Sequence, residues 1–123
     1  IKNHLINNYV SIFDMGPYKK ESVDYPDYAK KIAKRVKDKK SDIGILVCGS
    51  GTGMAISANK IQGIRAAVCY NPSSTRLSRQ HNNANIIALG SRLTKKSLSL
   101  KLVEIFLKTK FEGGRHLRRI KKI

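Results

Sequence analysis

Residues 45–54 read Ile-Leu-Val-Cys-Gly-Ser-Gly-Thr-Gly-Met, ILVCGSGTGM. The apolar run that begins at Ile43 ends on Cys48, and glycine then fills every second position through Gly49, Gly51 and Gly53. A nearly continuous apolar run stopped by a turn signal predicts a strand buried on both faces, as in a parallel sheet. A helix over 53–61 follows the turn. A thiol therefore sits where a buried strand hands over, through a loop stripped of side chains, to a helix.

The rest of the chain repeats that unit. IRAAV (64–68) and NIIALG (85–90) read as further strands, and helices are predicted over 27–39, 73–82 and 94–109. Pro26 suits the start of the first of these. Residues 1–8 read as the remainder of a helix, and YVSIFDMG (9–16) alternates like a strand that ends in a turn at Gly16-Pro17. A polar loop covers 18–26, and a basic tail begins at Gly113-Gly114. Strands that alternate with helices through short connections predict an α/β fold, a three-layer Rossmann-like parallel sheet with helices on both faces. The 123 residues suffice for one such domain, 1–123. Right-handed crossovers put every strand's C-terminal end on one edge, where open α/β sheets bind ligands. Cys48, Cys69 and Gly90 fall at or just after such ends.

Composition narrows the partners. Hydrophobic residues make up 41% of the chain, as in a globular protein. No apolar run approaches a membrane span, and IKNHLINNYV lacks the apolar core of a signal peptide, so a cytoplasmic protein is expected. Two cysteines make no disulfide framework. The net charge of +17 favours anionic partners, among them nucleic acid, anionic membrane and phosphorylated metabolites. In AKKIAKRVKDKK (29–40), however, Ala29, Ile32, Ala33 and Val36 form an i, i+3, i+4, i+7 stripe. The lysines are then the solvated face of an amphipathic helix. Aromatic residues, at 7%, are too few and too poorly interleaved with the basic runs to stack nucleobases.

The glycine loop fits neither common nucleotide motif. A dinucleotide fingerprint needs G-x-G-x-x-G and an acid about twenty residues on; here the spacing is G-x-G-x-G, and residues 70–75 hold no acid. A P-loop needs Gly-Lys-Ser/Thr, and Gly53 is followed by Met54. What remains is a small anion, or an oxyanion formed during reaction, held by the loop's N–H groups and the helix N-terminus. The same dipoles would favour a thiolate at Cys48, able to act as nucleophile or as carbon-acid base. A small buried strand residue is the competing reading of that cysteine.

Five blocks resemble one family in its order: DYPDYA (24–29), GILVCGSGTGM (44–54), SANKIQGIRAAVC (57–69), SRQHNNANIIALGSR (78–92) and FEGGRH (111–116). Together they are similar to type B ribose-5-phosphate isomerases, a family that includes the galactose-6-phosphate isomerase subunits. The resemblance implies an aldose–ketose isomerase that works through an enediol without metal or cofactor. It implies Cys48 as the base, Ser50 and the N–H groups of Gly49, Gly51, Thr52 and Gly53 as the enediolate hole, and His81 as the ring-opening histidine. Asn82, Arg92 and Tyr25 are implied in sugar binding, and Arg115 and Arg119 as phosphate ligands. Another branch carries a glutamate at the position of Met54; without it, Cys48 is the candidate base in this loop. The family completes its site across a homodimer, with the histidine loop supplied by the second subunit, and a homodimer or dimer of dimers is expected. Apolar residues on more than one face of helix 94–109 agree with burial by a partner.

The resemblance departs at the start. The family opens with a strand ending in an Asp-His pair, whereas this chain begins at Ile1, midway into the first helix, and a central strand is expected to be missing. The leading expectation is interconversion of ribose 5-phosphate and ribulose 5-phosphate in the pentose phosphate pathway. The alternatives are an isomerase of galactose 6-phosphate or allose 6-phosphate, and a non-catalytic basic module that holds nucleic acid.

Overall fold

Residues 1–8 and 11–123 are described by the computed structural model. In chain order its elements are α1 (Lys2–Ile6), α2 (Tyr25–Lys37), β1 (Gly44–Cys48), α3 (Thr52–Asn59), β2 (Ala66–Val68), α4 (Pro72–Asn82), β3 (Ile86–Gly90), α5 (Lys96–Lys108) and α6 (Arg115–Ile120). The strands are parallel in the order β1-β3-β2, with Cys48 opposite Gly90 and Val68 opposite Ala88. All the strand ends therefore reach the same edge. β3 is central and every one of its residues is buried, which is why its sequence shows an apolar run and not an alternation.

Alternate residues of the sheet feed two cores. Leu46, Ile86 and Ala88 pack with Ala29, Ala33 and Val36 of α2 and with Met54, Ala55 and Ala58 of α3. On the other face Ile87 and Leu89 pack with Leu102, Val103 and Phe106 of α5, and with Leu5, Cys69 and Ala84. The α2 stripe is buried as its spacing predicts, and Lys30, Lys31, Lys34 and Lys37 are exposed. That part of the positive charge faces solvent. Burial pushes the Cys69 thiol up, as suits a structural cysteine.

The structure corrects the reading of residues 9–16. Tyr9 and Val10 lie outside the described residues, and 11–16 are not a strand. Alternation makes a strand only where a neighbouring edge can pair with it, and among the described residues none does. Instead Asp14 binds Lys2 Nζ at 3.1 Å and accepts from the Gly16 N–H at 3.0 Å. Residues 11–17, α1 and the segment Ile43–Gly49 enclose a cavity of about 1050 Å³. Among the described residues β1 pairs on one side only, with β3, and its other side faces this space.

Two further differences concern the C-terminal third. The apolar excess of α5 is largely taken up inside the chain, because Leu98 and Leu107 join Leu102, Val103 and Phe106 in the second core. The basic tail contains a helix, α6, that docks by burying His116. Arg79 secures the neighbouring end of α4, donating through Nε to the Thr109 carbonyl at 3.2 Å and through Nη1 to Asn83 Oδ1 at 3.2 Å.

Phe106 is fully buried at the centre of the second core. Phe106→Ala is expected to cost about 3–5 kcal/mol, because the cavity it leaves is lined on all sides. Thermal denaturation should show a fall in Tm of roughly 10–20 °C, whereas Lys101→Ala, on the exposed side of the same helix, should leave Tm within about 2 °C.

Candidate active site

Gly51 has φ +82°, a left-handed conformation that turns its N–H back onto Cys48 Sγ at 3.1 Å. A side chain there would be strained, and its Cβ would lie 3.0 Å from the Leu89 carbonyl carbon. The two other loop glycines serve close approach. A Cβ on Gly53 would come within 2.6 Å of the Tyr25 ring, so Tyr25, from the first turn of α2, lies over the loop. A Cβ on Gly49 would meet Arg92 Nε at 3.4 Å, so the Arg92 guanidinium lies beside the loop's start.

The loop is held from below by the chain that leaves β3. The Ser91 N–H donates to the Cys48 carbonyl at 2.8 Å, and the Arg92 N–H to the Gly49 carbonyl at 3.0 Å. A Cβ on Gly90 would lie 2.7 Å from the Ser50 carbonyl oxygen, so the contact requires glycine. Tyr70, which sequence reasoning did not single out, donates from its hydroxyl to that same carbonyl at 3.2 Å. Its position just after β2, on the strand-end edge, was the available signal. The Thr52 N–H is engaged by Ser50 Oγ at 3.2 Å as α3 begins.

Cys48, Gly49, Tyr25, Arg92 and Met54 thus line one mouth of the large cavity. Cys48 is partly exposed, and Ser50 and Thr52 are exposed. A partly exposed sulfur that accepts an N–H bond within a glycine-lined cradle is placed to reach a bound carbon acid.

The remaining residues form a second group elsewhere. His81 and Asn82 close α4, and His81 stacks on His116 of α6 with ring centroids 4.2 Å apart and planes 11° from parallel. Arg115 and Arg119 are exposed on α6 beside them, and Glu112 Oε2 lies 3.5 Å from His116 Nε2. The Glu112 N–H donates to the Gln80 carbonyl at 3.1 Å, which ties the approach to α6 onto the end of α4. His116 also escaped sequence reasoning; it stands in the FEGGRH block, but one histidine beside two arginines gives no pattern.

Topology separates the two groups. α4 leaves the strand-end edge at Asn71 and descends eleven residues, about 16 Å, to reach the start of β3. Cys48 lies at one end of the sheet and His81 at the other, within a single chain.

Burial, then the nearby His81 and Arg115, hold His116 below the ordinary histidine range, and Glu112 opposes them only in part. A folded-state value below the unfolded one means that the unfolded chain binds the extra proton first. The contribution of neutral His116 is therefore complete above about pH 6.5 and is lost as pH falls through the lower, folded value. Chemical denaturation from pH 7.5 to 5 should show wild type losing its stability advantage over His116→Gln as the solution is acidified.

Known proteins resemble this chain along nearly its whole length. A family model described as Ribose/Galactose Isomerase matches residues 1–123. The chain is 45% identical over 120 residues to the ribose-5-phosphate isomerase B of Escherichia coli, covering 98% of this chain and 80% of that protein. Among solved structures, the ribose-5-phosphate isomerase B of Clostridium thermocellum superposes with a TM-score of 0.97 at 47% identity, over 98% of this chain and 82% of that one. The enzyme of Mycoplasma genitalium, solved with bound ribulose-5-phosphate, gives a TM-score of 0.93 at 43% identity, over 98% of this chain and 80% of that one. With a family model matching residues 1–123 and relatives this similar, the chain belongs to the ribose/galactose isomerase family.

Proposed function

We propose that this protein interconverts ribose 5-phosphate and ribulose 5-phosphate in the cytoplasm, as a step of the pentose phosphate pathway. The observation that carries the reading is the Cys48 sulfur, which accepts the Gly51 N–H inside a glycine loop bordered by Tyr25 and Arg92. That is an arrangement for moving a proton between adjacent carbons while an oxygen bonded to one of them becomes negative.

The steps follow from the residues. His81, assisted by Asn82, gives a proton to the ring oxygen and takes one from the anomeric hydroxyl, which opens the sugar. Cys48 thiolate removes the proton from C2 of the open aldose, and the electron pair forms the enediolate double bond. N–H groups of 49–53 and the Ser50 hydroxyl bind the oxygen where charge develops; each such donor is worth on the order of 10²–10³ in rate. Cys48 then returns the proton to C1 while the O2 hydroxyl proton passes to O1, and the ketose results. Tyr25 and Arg92 bind the sugar, and Arg115 with Arg119, four apart on α6, grip the phosphate.

This assignment needs two copies of the chain, since Cys48 and His81 lie at opposite ends of one sheet. A homodimer in which the histidine end of one protomer faces the cysteine loop of its partner satisfies it, and a dimer of dimers is compatible. Apolar side chains at the rim support such an interface: Tyr70 after β2, Leu77 on α4 and Leu93 after β3 are 40%, 46% and 64% exposed. No helix among the described residues is long and apolar enough to cross a membrane.

Incubated with ribose 5-phosphate in heavy water, the protein should produce ketose carrying deuterium at the exchanged carbon, followed by proton NMR. Cys48→Ala should slow both exchange and isomerisation by at least about 10²-fold. Turnover of allose 6-phosphate or galactose 6-phosphate and none of ribose 5-phosphate would move the reading to a six-carbon sugar. A second test addresses the shared site. Cys48→Ala and His81→Ala, each inactive alone, should regain about a quarter of wild-type activity when co-refolded, because half of the random dimers hold one intact site of two. No recovery in verified mixed dimers would place both residues in one chain's site.

A further inference from the structure

His81, His116 and Glu112 make a cluster that the isomerase chemistry does not use as a unit. Their imidazole nitrogens and carboxylate oxygen all lie within 4.8 Å of one another. The His116–Glu112 contact, at 3.5 Å, is longer than an ordinary hydrogen bond, and among the described residues no hydrogen bond engages a ring nitrogen of either histidine. His4, the third histidine of the chain, is by contrast tied to Glu104 at 2.8 Å. Two unengaged imidazoles and a carboxylate therefore converge on one point. The His116 side chain is only 9% exposed and that of Glu112 is 50% exposed, so the point has a fixed wall and an open approach.

The geometry points to a binding site for a divalent transition metal of the zinc class, formed by His81, Glu112 and His116, whose occupation inhibits the enzyme by capturing its ring-opening histidine. Tetrahedral zinc with Zn–N bonds near 2.0 Å wants ligand atoms about 3.3 Å apart. The three donors reach that spacing by side-chain rotation, the stacked rings opening into a V around the ion. Solvent supplies the fourth ligand through the Glu112 side. Borderline nitrogen donors select zinc or copper over magnesium or calcium, which want oxygen. Arg115 and Arg119, which flank the cluster, oppose any cation, so the affinity expected is micromolar, as of a responsive site and not a permanent one.

The binding claim stands on geometry alone; the inhibition claim rests on the isomerase reading. Calorimetric titration of the full chain with zinc chloride should show one equivalent bound per chain. Cys48→Ala should bind equally well, which rules out the thiol as the site. Glu112→Gln, at an exposed position that leaves the fold intact, should weaken binding at least about 10-fold. His81→Gln should weaken it similarly. Unchanged zinc affinity in Glu112→Gln, or lost affinity in Cys48→Ala, overturns the site. Zinc should then inhibit isomerisation by wild type at concentrations that leave Glu112→Gln active; equal inhibition of both overturns the regulatory role. A wild-type chain that binds zinc through these residues and turns over no sugar phosphate contradicts the isomerase reading and its inhibition, while the metal site stands.

Discussion

The N–H of Gly51 pointing at the sulfur of Cys48 is the contact on which this molecule's site depends. It demands a left-handed residue two positions beyond the strand's turn, and it brings the Ser50 carbonyl down onto Gly90, where a Cβ would stand 2.7 Å away. The pairing of Cys48 with Gly90 across β1 and β3 then fixes how far the loop projects. Sheet register and site geometry are one constraint here. A slip of one residue would move the thiol to the other face and carry Gly90 out from under the loop.

Much of this was legible because two-sided burial leaves a strong trace in sequence. β1 and β3 were readable as apolar runs, and the α2 stripe as the spacing of Ala29, Ala33 and Val36, all buried. Element boundaries moved by one or two residues, as where α3 begins at Thr52 and not Gly53. The error at 11–16 has a physical source: alternation records a residue's preference for a half-buried ladder, but the ladder itself requires a second edge, which lies outside the segment. Helix α6 was legible only in the spacing of Arg115 and Arg119, four apart as on one helical face. Its RHLRRI has no stripe, and its docking comes from a single buried imidazole stacked on another.

The candidate site's residues were named from the sequence; how the fold divides them was less legible. Cys48, the glycines, Tyr25 and Arg92 gather at the strand-end edge, as alternation of strands and helices requires. His81, Asn82, Arg115 and Arg119 gather near the start of β3, because a crossover helix must return to the opposite edge before the next parallel strand can begin. Spacing along the chain carries no hint of this. The resemblance did, by implying that a second subunit supplies the histidine. Tyr70 and His116 lacked any pattern and became visible only through what they touch.

The partition also bears on how the chemistry would be protected. Ser50, Thr52 and Tyr25 are exposed in the single chain, where water competes for every hydrogen bond that a developing oxyanion needs. Electrostatic stabilisation of an enediolate is strong only where water is excluded and the local dielectric is low. A partner that brings His81 and two arginines over the cysteine loop would supply both the missing groups and that exclusion in one step. Association and catalysis would then be inseparable: a protomer alone would keep its fold, with Leu102, Val103 and Phe106 buried by its own chain, and lack a working site. Arg115 and Arg119 lie on the same end of the molecule as the stacked histidines. The second subunit would thus draw in the anionic substrate and cover it with the same surface.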